Sequence, residues 1–306
     1  MTLSLLARDP GSGALGVATQ SHFFGAGATV PWAQAGVGVV ATQAIAERSY
    51  GPRILAALRR GVSASRALAP LLEADPAREL RQVACLDAVG GVGIHTGTRC
   101  LPAAGAATEG CAAAVGNMLE RPAVLDAMLQ GFHRAPGDLA HRLVAGLRGG
   151  EQAGGDIRGR QSAALLVVSG ERGDAPWEGV IHDLRVDDHP DPVGELARLV
   201  DLADAFRHLS QVVFDPDGPV FGESVSDDEF AAAAQSLAQA DQVLGSNPEA
   251  AWWSAVLHAR RGRFADARRL LAGAARRNPR LPRLVAGLVE AGIVTAEQAA
   301  RWSGRR

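Results

Sequence analysis

Thr2 combines two groups that could act together in catalysis: a hydroxyl and, once Met1 is removed, a free α-amine. Threonine is small enough for the initiator methionine to be removed in the cell. A free α-amine titrates at pH ~7.7–8.0, so near physiological pH it can accept the hydroxyl proton. One residue would then supply both nucleophile and base. The local sequence also fits a plain strand residue, because β-branched side chains favour strands.

The densest polar run of the chain, Glu151–Ser162, leads directly into Ala163–Val168, an apolar run with the length of a buried strand. Polar groups placed there are costly unless they are paired, which indicates either a functional site or a satisfied buried network. In a site, two guanidinium groups would hold a substrate carboxylate, while a hydroxyl and a carboxamide would donate to an oxyanion. In a network, an aspartate and an arginine would form a buried ion pair. The residues concerned are Asp156, Arg158, Arg160, Gln161 and Ser162.

Four further candidates lie at the ends of predicted strands. Thr42 and Gln43 end a buried strand and could provide additional donors to an oxyanion. Ser21 and His22 follow the second predicted strand and could assist substrate binding. A single histidine in a loop is often only solvated, so His22 has a plain interpretation as well.

A cluster of histidines and aspartates near position 185 has the chemistry of metal ligands. Strand alternation separates the two histidines, and carboxylates are also favoured at the start of the helix that follows. We therefore predict helix capping there, with Asp191 as the cap, and we expect neither a metal nor a cofactor. The cluster consists of His182, Asp183, Asp187, Asp188 and His189.

The composition of the 306 residues narrows the possible functions. A hydrophobic content of 47% and a net charge of −2 are typical of a soluble globular protein without a bias toward nucleic acid or membranes. No leader and no apolar run of membrane length is present, so we expect a cytoplasmic protein. All 31 basic residues are arginine, and the lack of lysine excludes Schiff-base chemistry and a phosphate-loop lysine. The arginines between 260 and 269 fit the solvated face of a helix better than a nucleic-acid surface.

The predicted elements occur in blocks of strands followed by pairs of helices. Two antiparallel sheets with a helix pair on each outer face satisfy this order, which gives a four-layer αββα sandwich of the α+β class; a doubly wound fold would alternate single strands and helices. Ser63 is expected to cap the second helix, and the apolar, glycine-rich Val30–Val40 region is a candidate surface for a homodimer. Strands are predicted at 1–7, 14–20, 37–43, 79–87, 91–96, 110–117, 163–168 and 179–186, and helices at 50–60, 63–72, 122–132, 138–147 and 193–209.

The predicted elements and the composition indicate two domains, residues 1–209 and 210–306. The second is helical, and its segment 251–271 resembles one tetratricopeptide-type hairpin, bracketed by Asn247-Pro248 and Asn278-Pro279. One such unit is too short for an independent solenoid. We interpret it as a module for stability or for interaction with a partner.

Seven motifs of the first domain occur together in a known family. They are Met1-Thr2-Leu3-Ser4, Asp9-Pro10-x-x-Gly13-x-Leu15-Gly16-Val17-Ala18, Ala41-Thr42-Gln43-Ala44, Tyr50-Gly51-Pro52, Arg81-Gln82, Gly154-Gly155-Asp156-x-Arg158-Gly159-Arg160-Gln161-Ser162-Ala163-Ala164 and Asp183-Leu184-Arg185-Val186-Asp187-Asp188-His189. Over about residues 1–208 the chain resembles the bacterial DUF1028 family, which is uncharacterised in function and is regarded as part of the N-terminal-nucleophile hydrolase superfamily. Some members carry a small C-terminal helical extension labelled as peptidoglycan-binding, which residues 210–290 loosely resemble.

The resemblance implies the αββα sandwich and Thr2 as the exposed nucleophile of an amidohydrolase. The superfamily often places a lysine near the nucleophile; here Arg158 or Arg160 would have to supply the positive charge, or the protein is a non-catalytic descendant. Two hypotheses follow. In the first, the protein hydrolyses a small-molecule amide or a carboxylate-bearing substrate. In the second, it binds a small anionic metabolite in the same cleft, or acts as a scaffold through its C-terminal helices.

Overall fold

The computed structural model describes residues 2–175, 177, 179–222 and 226–303. The chain divides after Val200 into two compact units. No helix among these residues is both long enough and apolar enough to span a membrane.

The first unit contains two antiparallel sheets and two pairs of helices. One sheet has six strands in the order β10-β9-β2-β1-β8-β7 and the other has four in the order β3-β4-β5-β6. The strands are β1 (Thr2–Arg8), β2 (Leu15–Ser21), β3 (Pro31–Gln34), β4 (Gly38–Ala44), β5 (Arg81–Asp87), β6 (Val92–Thr96), β7 (Gly105–Glu109), β8 (Ala112–Asn117), β9 (Ser162–Val168) and β10 (Val180–Val186). The helices are α1 (Tyr50–Arg59), α2 (Ala64–Ala74), α3 (Ala123–Arg134), α4 (Leu139–Gln152) and α5 (Pro192–Val213), with short 3-10 helices at Ala26–Ala28 and Arg78–Leu80; the division between the units falls within α5.

Three apolar layers confirm the predicted αββα sandwich. Side chains of β1, β2, β8 and β9 pack against α3 and α4, and side chains of β4 and β5 pack against α1 and α2. The inner faces of the two sheets pack against each other. Each of these layers is a continuous apolar core, as expected for two sheets that pack against helices on one face and against each other on the other face.

Strand β1 lies inside the six-stranded sheet, between β2 and β8, and alternates as its sequence predicts. Leu3 and Leu5 face α3 and α4, whereas Leu6 faces the second sheet. Since side chains alternate along a strand, Thr2 and Ser4 lie on the same face as Leu6. The hydroxyls of the N-terminal motif therefore point between the two sheets.

The structure differs from the sequence prediction at several elements. Strands β3 and β7 were not predicted, because β3 has only four residues and starts with proline, and β7 is a largely exposed edge strand without apolar alternation. The prediction that Ser63 caps α2 is wrong: the side chain of Ser63 makes no capping hydrogen bond, and Asp87 Oδ2 accepts the N–H of Ala64 at 3.1 Å instead.

The second unit is helical, as predicted. Its expected hairpin is formed by α7 and α8, and the buried faces of its helices share one apolar core. The helices that follow α5 are α6 (Asp227–Leu244), α7 (Glu249–Arg260), α8 (Phe264–Arg277), α9 (Leu284–Glu290) and α10 (Ala296–Ser303), with a 3-10 turn at Leu281–Arg283.

The close packing of α3 on α4 gives a test of this architecture. A Cβ on Gly149 would lie 2.5 Å from the carbonyl oxygen of Ala127, a backbone atom that cannot move alone. We therefore expect Gly149→Ala to lower the free energy of unfolding by about 1–3 kcal/mol, measured by urea denaturation. Gly287→Ala in α9 is the control: nothing lies within 4 Å of the added Cβ, so it should be neutral or stabilising by up to ~1 kcal/mol. Equal effects of the two substitutions would contradict the packing.

Candidate active site at the start of the first strand

Thr2 lies at the start of β1 and is 6% exposed. Its Oγ1 donates a hydrogen bond to the Oγ of Ser21, the last residue of β2, at 3.2 Å. The preceding residue, Met1, whose removal the sequence analysis predicts, lies outside the described residues. The Thr2 hydroxyl is therefore held in one direction by a neighbouring hydroxyl at the end of the strand.

Polar side chains from four neighbouring strands form one row at this end of the sheet. Ser21 pairs with Ser162 of β9, and Thr2 pairs with Asn117 of β8. Directly opposed residues of an antiparallel pair point to the same face. The row Ser162, Ser21, Thr2 and Asn117 therefore forms a polar end of the inner face.

Ser162 uses its hydroxyl within the protein. Its Oγ donates to the carbonyl oxygen of Phe23 at 2.6 Å and accepts the N–H of Ala26 at 3.2 Å. Ser162 thus fixes the segment that follows β2, and this contact leaves no hydroxyl proton for the oxyanion that the sequence analysis assigned to it.

Gln43 reaches Thr2 from the opposite sheet. Its Nε2 donates to the main-chain oxygen of Thr2 at 3.0 Å and to Gln82 Oε1 at 2.7 Å, while its Oε1 accepts the hydroxyl of Ser4 at 2.6 Å. Both amide hydrogens of Gln43 are therefore used in holding the strand rather than in binding an oxyanion. Thr42 faces the other side of β4, where its hydroxyl donates to Glu47 O at 3.1 Å, so the structure does not bring it to Thr2.

Gln82 connects this network; the sequence analysis named it only as part of a family motif and predicted no role for it. It is fully buried in β5, and its Nε2 donates to Gly116 O at 2.8 Å, Thr96 Oγ1 at 3.0 Å and Gly105 O at 3.1 Å. Its Oε1 accepts Nδ2 of Asn117 at 2.9 Å as well as the Gln43 amide. A glutamine within a strand of buried residues was the available signal, since a buried amide needs partners.

Two strained residues lie next to this network. Among the described residues, Ala44 and Met118 are the two non-glycine residues with positive φ, 66° and 50°. They directly follow Gln43 and Asn117. Such conformations cost ~1–3 kcal/mol each and are concentrated at functional sites, where the surroundings enforce them.

A hydrogen-bonded group next to Ala44 stabilises the turn there. Arg81 donates from Nη1 to Ile45 O at 2.7 Å and from Nε to Asp75 Oδ2 at 2.9 Å. Tyr50 donates its hydroxyl to the same carboxylate oxygen at 3.1 Å. Burial, and then the Asp75 carboxylate, raise the pKa of Tyr50 to about 12, so this phenol stays neutral and serves as a donor.

The polar loop that follows α4 contains the predicted ion pair. Asp156 is buried, and its carboxylate accepts the main-chain N–H groups of His22 and Arg158, both at 2.8 Å. Nη2 of Arg158 lies 3.4 Å from the same carboxylate, and the Arg158 side chain is 34% exposed. The carboxylate therefore ties this loop to the residue next to Ser21, while the guanidinium still reaches solvent.

Arg160 and Gln161 turn toward other groups of the same region. The guanidinium of Arg160 lies 3.6 Å from Glu151 Oε1 and 3.8 Å from Asp191 Oδ1. Burial raises the pKa of Glu151, and the charge of Arg160 opposes that shift. Gln161 donates from its main-chain N–H to Ser21 O at 3.2 Å and from its side chain to Asp188 at 3.3 Å. Of the loop residues, Asp156, Gln161 and Ser162 thus contact the segment around Ser21.

The histidine and aspartate cluster is divided between the two faces of β10 and the turn that leads to α5, where the predicted cap is found. His182 is buried on the helix-facing side of β10, and Asp183 lies 3.5 Å from Arg185 on the other face. Asp191 Oδ1 accepts the N–H of Gly194 at 3.2 Å and so caps α5.

Comparison with known proteins places the first unit in a family. The model of a family of unknown function, DUF1028, matches residues 2–196. Among solved structures, that of protein SPO2555 from Silicibacter pomeroyi, also assigned to DUF1028, is similar with a TM-score of 0.60 and 33% sequence identity. This match covers 66% of the present chain and 88% of the other. No curated protein matches the chain.

The buried network predicts a large loss of stability when its central residue is removed. Gln82→Leu leaves the amide groups of Gln43 and Asn117 without their acceptor in a dry interior, and each unsatisfied buried group costs ~1–3 kcal/mol. We expect urea denaturation to give a free energy of unfolding lower by about 2 kcal/mol or more. The control is Gln34→Leu in the edge strand β3, a half-buried glutamine outside this network, which should change stability by less than ~0.5 kcal/mol. Similar losses in both variants would show that the network does not stabilise the fold.

Tyr50 gives a second test, because it is the single tyrosine of the chain. The ultraviolet absorbance of its phenolate should appear with a midpoint at about pH 12 instead of the ordinary 10. Since the folded-state pKa is raised, the stabilisation is complete below pH ~10 and is lost as the pH rises through the folded value. Asp75→Asn should move the midpoint downward, because it removes the charge that opposes ionisation. A midpoint near 10 in the folded protein would rule out the buried hydrogen bond to Asp75.

Proposed function

The chain belongs to the DUF1028 family, and within it we propose that this protein is an amide hydrolase with Thr2 as an N-terminal nucleophile. The observation that carries the proposal is the setting of Thr2. Its hydroxyl donates a hydrogen bond to Ser21, and its main-chain oxygen accepts one from Gln43 of the second sheet. The reactive residue is thus fixed by two independent contacts before any substrate binds, which reduces the entropy lost on reaching the transition state.

The proposed reaction proceeds in two halves. The Thr2 Oγ attacks the amide carbon while its proton passes to the α-amine, and the carbonyl π electrons move to oxygen. The resulting ammonium then donates its proton to the leaving nitrogen as the carbon–nitrogen bond breaks, so an ester of Thr2 and a free amine are formed. In the second half, water attacks the ester and gives a proton to the α-amine. Collapse returns that proton to Thr2 Oγ and releases a carboxylic acid.

The surrounding residues have separate roles in this proposal. Ser21 orients the Thr2 hydroxyl, and Gln43 positions the main chain. Arg158, whose guanidinium is part-exposed in the loop tied to His22, supplies positive charge to a developing oxyanion or to a substrate carboxylate. This arginine takes the part that a lysine would play, because the chain has none.

The proposal requires a free amine on Thr2 and an activated hydroxyl beside it. We expect the intact mass of protein expressed without a tag to lack methionine. Exposure to a β-lactone should then add a single acyl group to the first peptide. Thr2→Ala should abolish this adduct, because it removes the nucleophile but keeps a residue small enough for Met1 removal.

The matched control is Thr108→Ala, which removes an exposed threonine from the edge strand of the same sheet. The lactone should acylate Thr2 of this variant at the wild-type rate. Retention of Met1, or labelling that survives in Thr2→Ala, would refute the hydrolase and favour the alternative: a protein that binds a small anion through Arg158 and Arg160.

A further inference from the structure

We infer that Asn117 positions the α-amine of Thr2 for proton transfer, an assignment that rests on the proposed function. Asn117 is the last residue of β8 and pairs directly with Thr2 across the sheet. Residues opposed in this way have Cβ atoms ~4.5–5.5 Å apart and point to the same face. The carboxamide of Asn117 therefore lies beside the residue whose amine must act as the base.

The orientation of this carboxamide is fixed by the hydrogen bonds of Gln82. Nε2 of Gln82 donates to oxygen atoms only, two of them main-chain carbonyls, so its Oε1 must point the other way. Asn117 can contact an acceptor only through its amide nitrogen, and its Nδ2 lies 2.9 Å from that Oε1. Oδ1 of Asn117 is consequently directed away from Gln82.

Oδ1 of Asn117 receives no hydrogen bond from the described part of the chain and retains some contact with solvent, although the residue as a whole is only 2% exposed. A carboxamide oxygen has two lone pairs, so this Oδ1 is free to accept a hydrogen bond from a donor that comes close to it. Release of Met1 would create new N–H donors on Thr2, the residue that pairs with Asn117. The missing partner and the new donor are complementary.

Such a contact would set the direction of the amine lone pair. A neutral amine has two N–H bonds and one lone pair. If one N–H donates to Asn117 Oδ1, the rotation of the amine is restricted and the lone pair can be aimed at the Thr2 hydroxyl. The same oxygen accepts a hydrogen bond from the ammonium formed after proton transfer, which favours that charged form. Asn117 is therefore a positioning residue that acts through the amine, and Gln82 holds it.

The lack of lysine makes this inference directly measurable. The α-amine of the mature chain is its single primary amine, so the pH dependence of carbamylation by cyanate, followed on the first peptide, reports the pKa of that amine. Asn117→Asp places a carboxylate beside the ammonium and should raise the midpoint by about one pH unit or more, which lowers the rate at neutral pH about tenfold. Asn117→Leu removes the acceptor and should lower the midpoint. A purely structural residue would not move the two midpoints in opposite directions.

A measurement on the unmodified protein avoids variants that fail to fold. The sequence has three asparagines, Asn117, Asn247 and Asn278, so selective ¹³C labelling of asparagine gives three side-chain carbonyl signals. The Asn117 signal should shift with pH at the midpoint found by carbamylation. The other two belong to the second unit and serve as internal controls that should not follow this midpoint.

The outcomes separate this inference from the proposed function. If Thr2 is acylated by the lactone but the Asn117 signal ignores the amine titration, the hydrolase stands and the role of Asn117 is wrong. If the midpoints of the two variants equal that of the wild type, the hydrolase again stands and the role of Asn117 is wrong. If Met1 is retained or Thr2 is not acylated, the proposed function fails and this inference fails with it.

Discussion

The hydrogen bonds of Gln82 are the constraint on which the Thr2 end of the structure depends. Gln82 belongs to the four-stranded sheet, yet it donates to main-chain carbonyls of the six-stranded sheet and accepts amide groups from both. Apolar packing between two sheets is non-directional and tolerates sliding. Buried amides do not tolerate sliding, because each displaced hydrogen bond leaves an unsatisfied group. The polar network thus specifies which residue of β4 lies beside Thr2, and so holds the strand start in one place.

The site combines this rigid interior with a polar surface loop. Asp156 holds the main chain of His22 and Arg158, and Ser162 holds Phe23, so the segment after β2 is fixed at both ends. The strained residues Ala44 and Met118 directly follow Gln43 and Asn117, the residues that contact and pair with Thr2. In the proposed hydrolase, the binding energy of a substrate would then be available for catalysis, since the site itself does not have to be ordered first.

The sequence was informative where a property is local and uninformative where it depends on distant partners. The apolar alternation of β1 and the paired helices predict the sandwich, because periodicity directly reflects which face is buried. Thr2 and the loop around Asp156 were identified from their chemistry. The roles of Gln43 and Gln82 were not, because nothing local shows that an amide in one strand meets a carbonyl from another sheet. Ser63 illustrates the same limit: a good capping residue was displaced by Asp87, which lies far away in the chain.

The network around Gln82 also has a direction. Each carboxamide has a donor end and an acceptor end, and reversing one of them would bring like ends together at both of its neighbours. The arrangement therefore has a single polarity: the Ser4 hydroxyl donates to Gln43, Gln43 donates to Gln82, and Gln82 donates to the carbonyls of Gly105 and Gly116. A disturbance at the far end, where Thr96 lies part-exposed, cannot be absorbed by turning one amide over. All carboxamides of the network must keep their orientations at the same time. The interior therefore behaves as one cooperative unit rather than as a set of separate contacts.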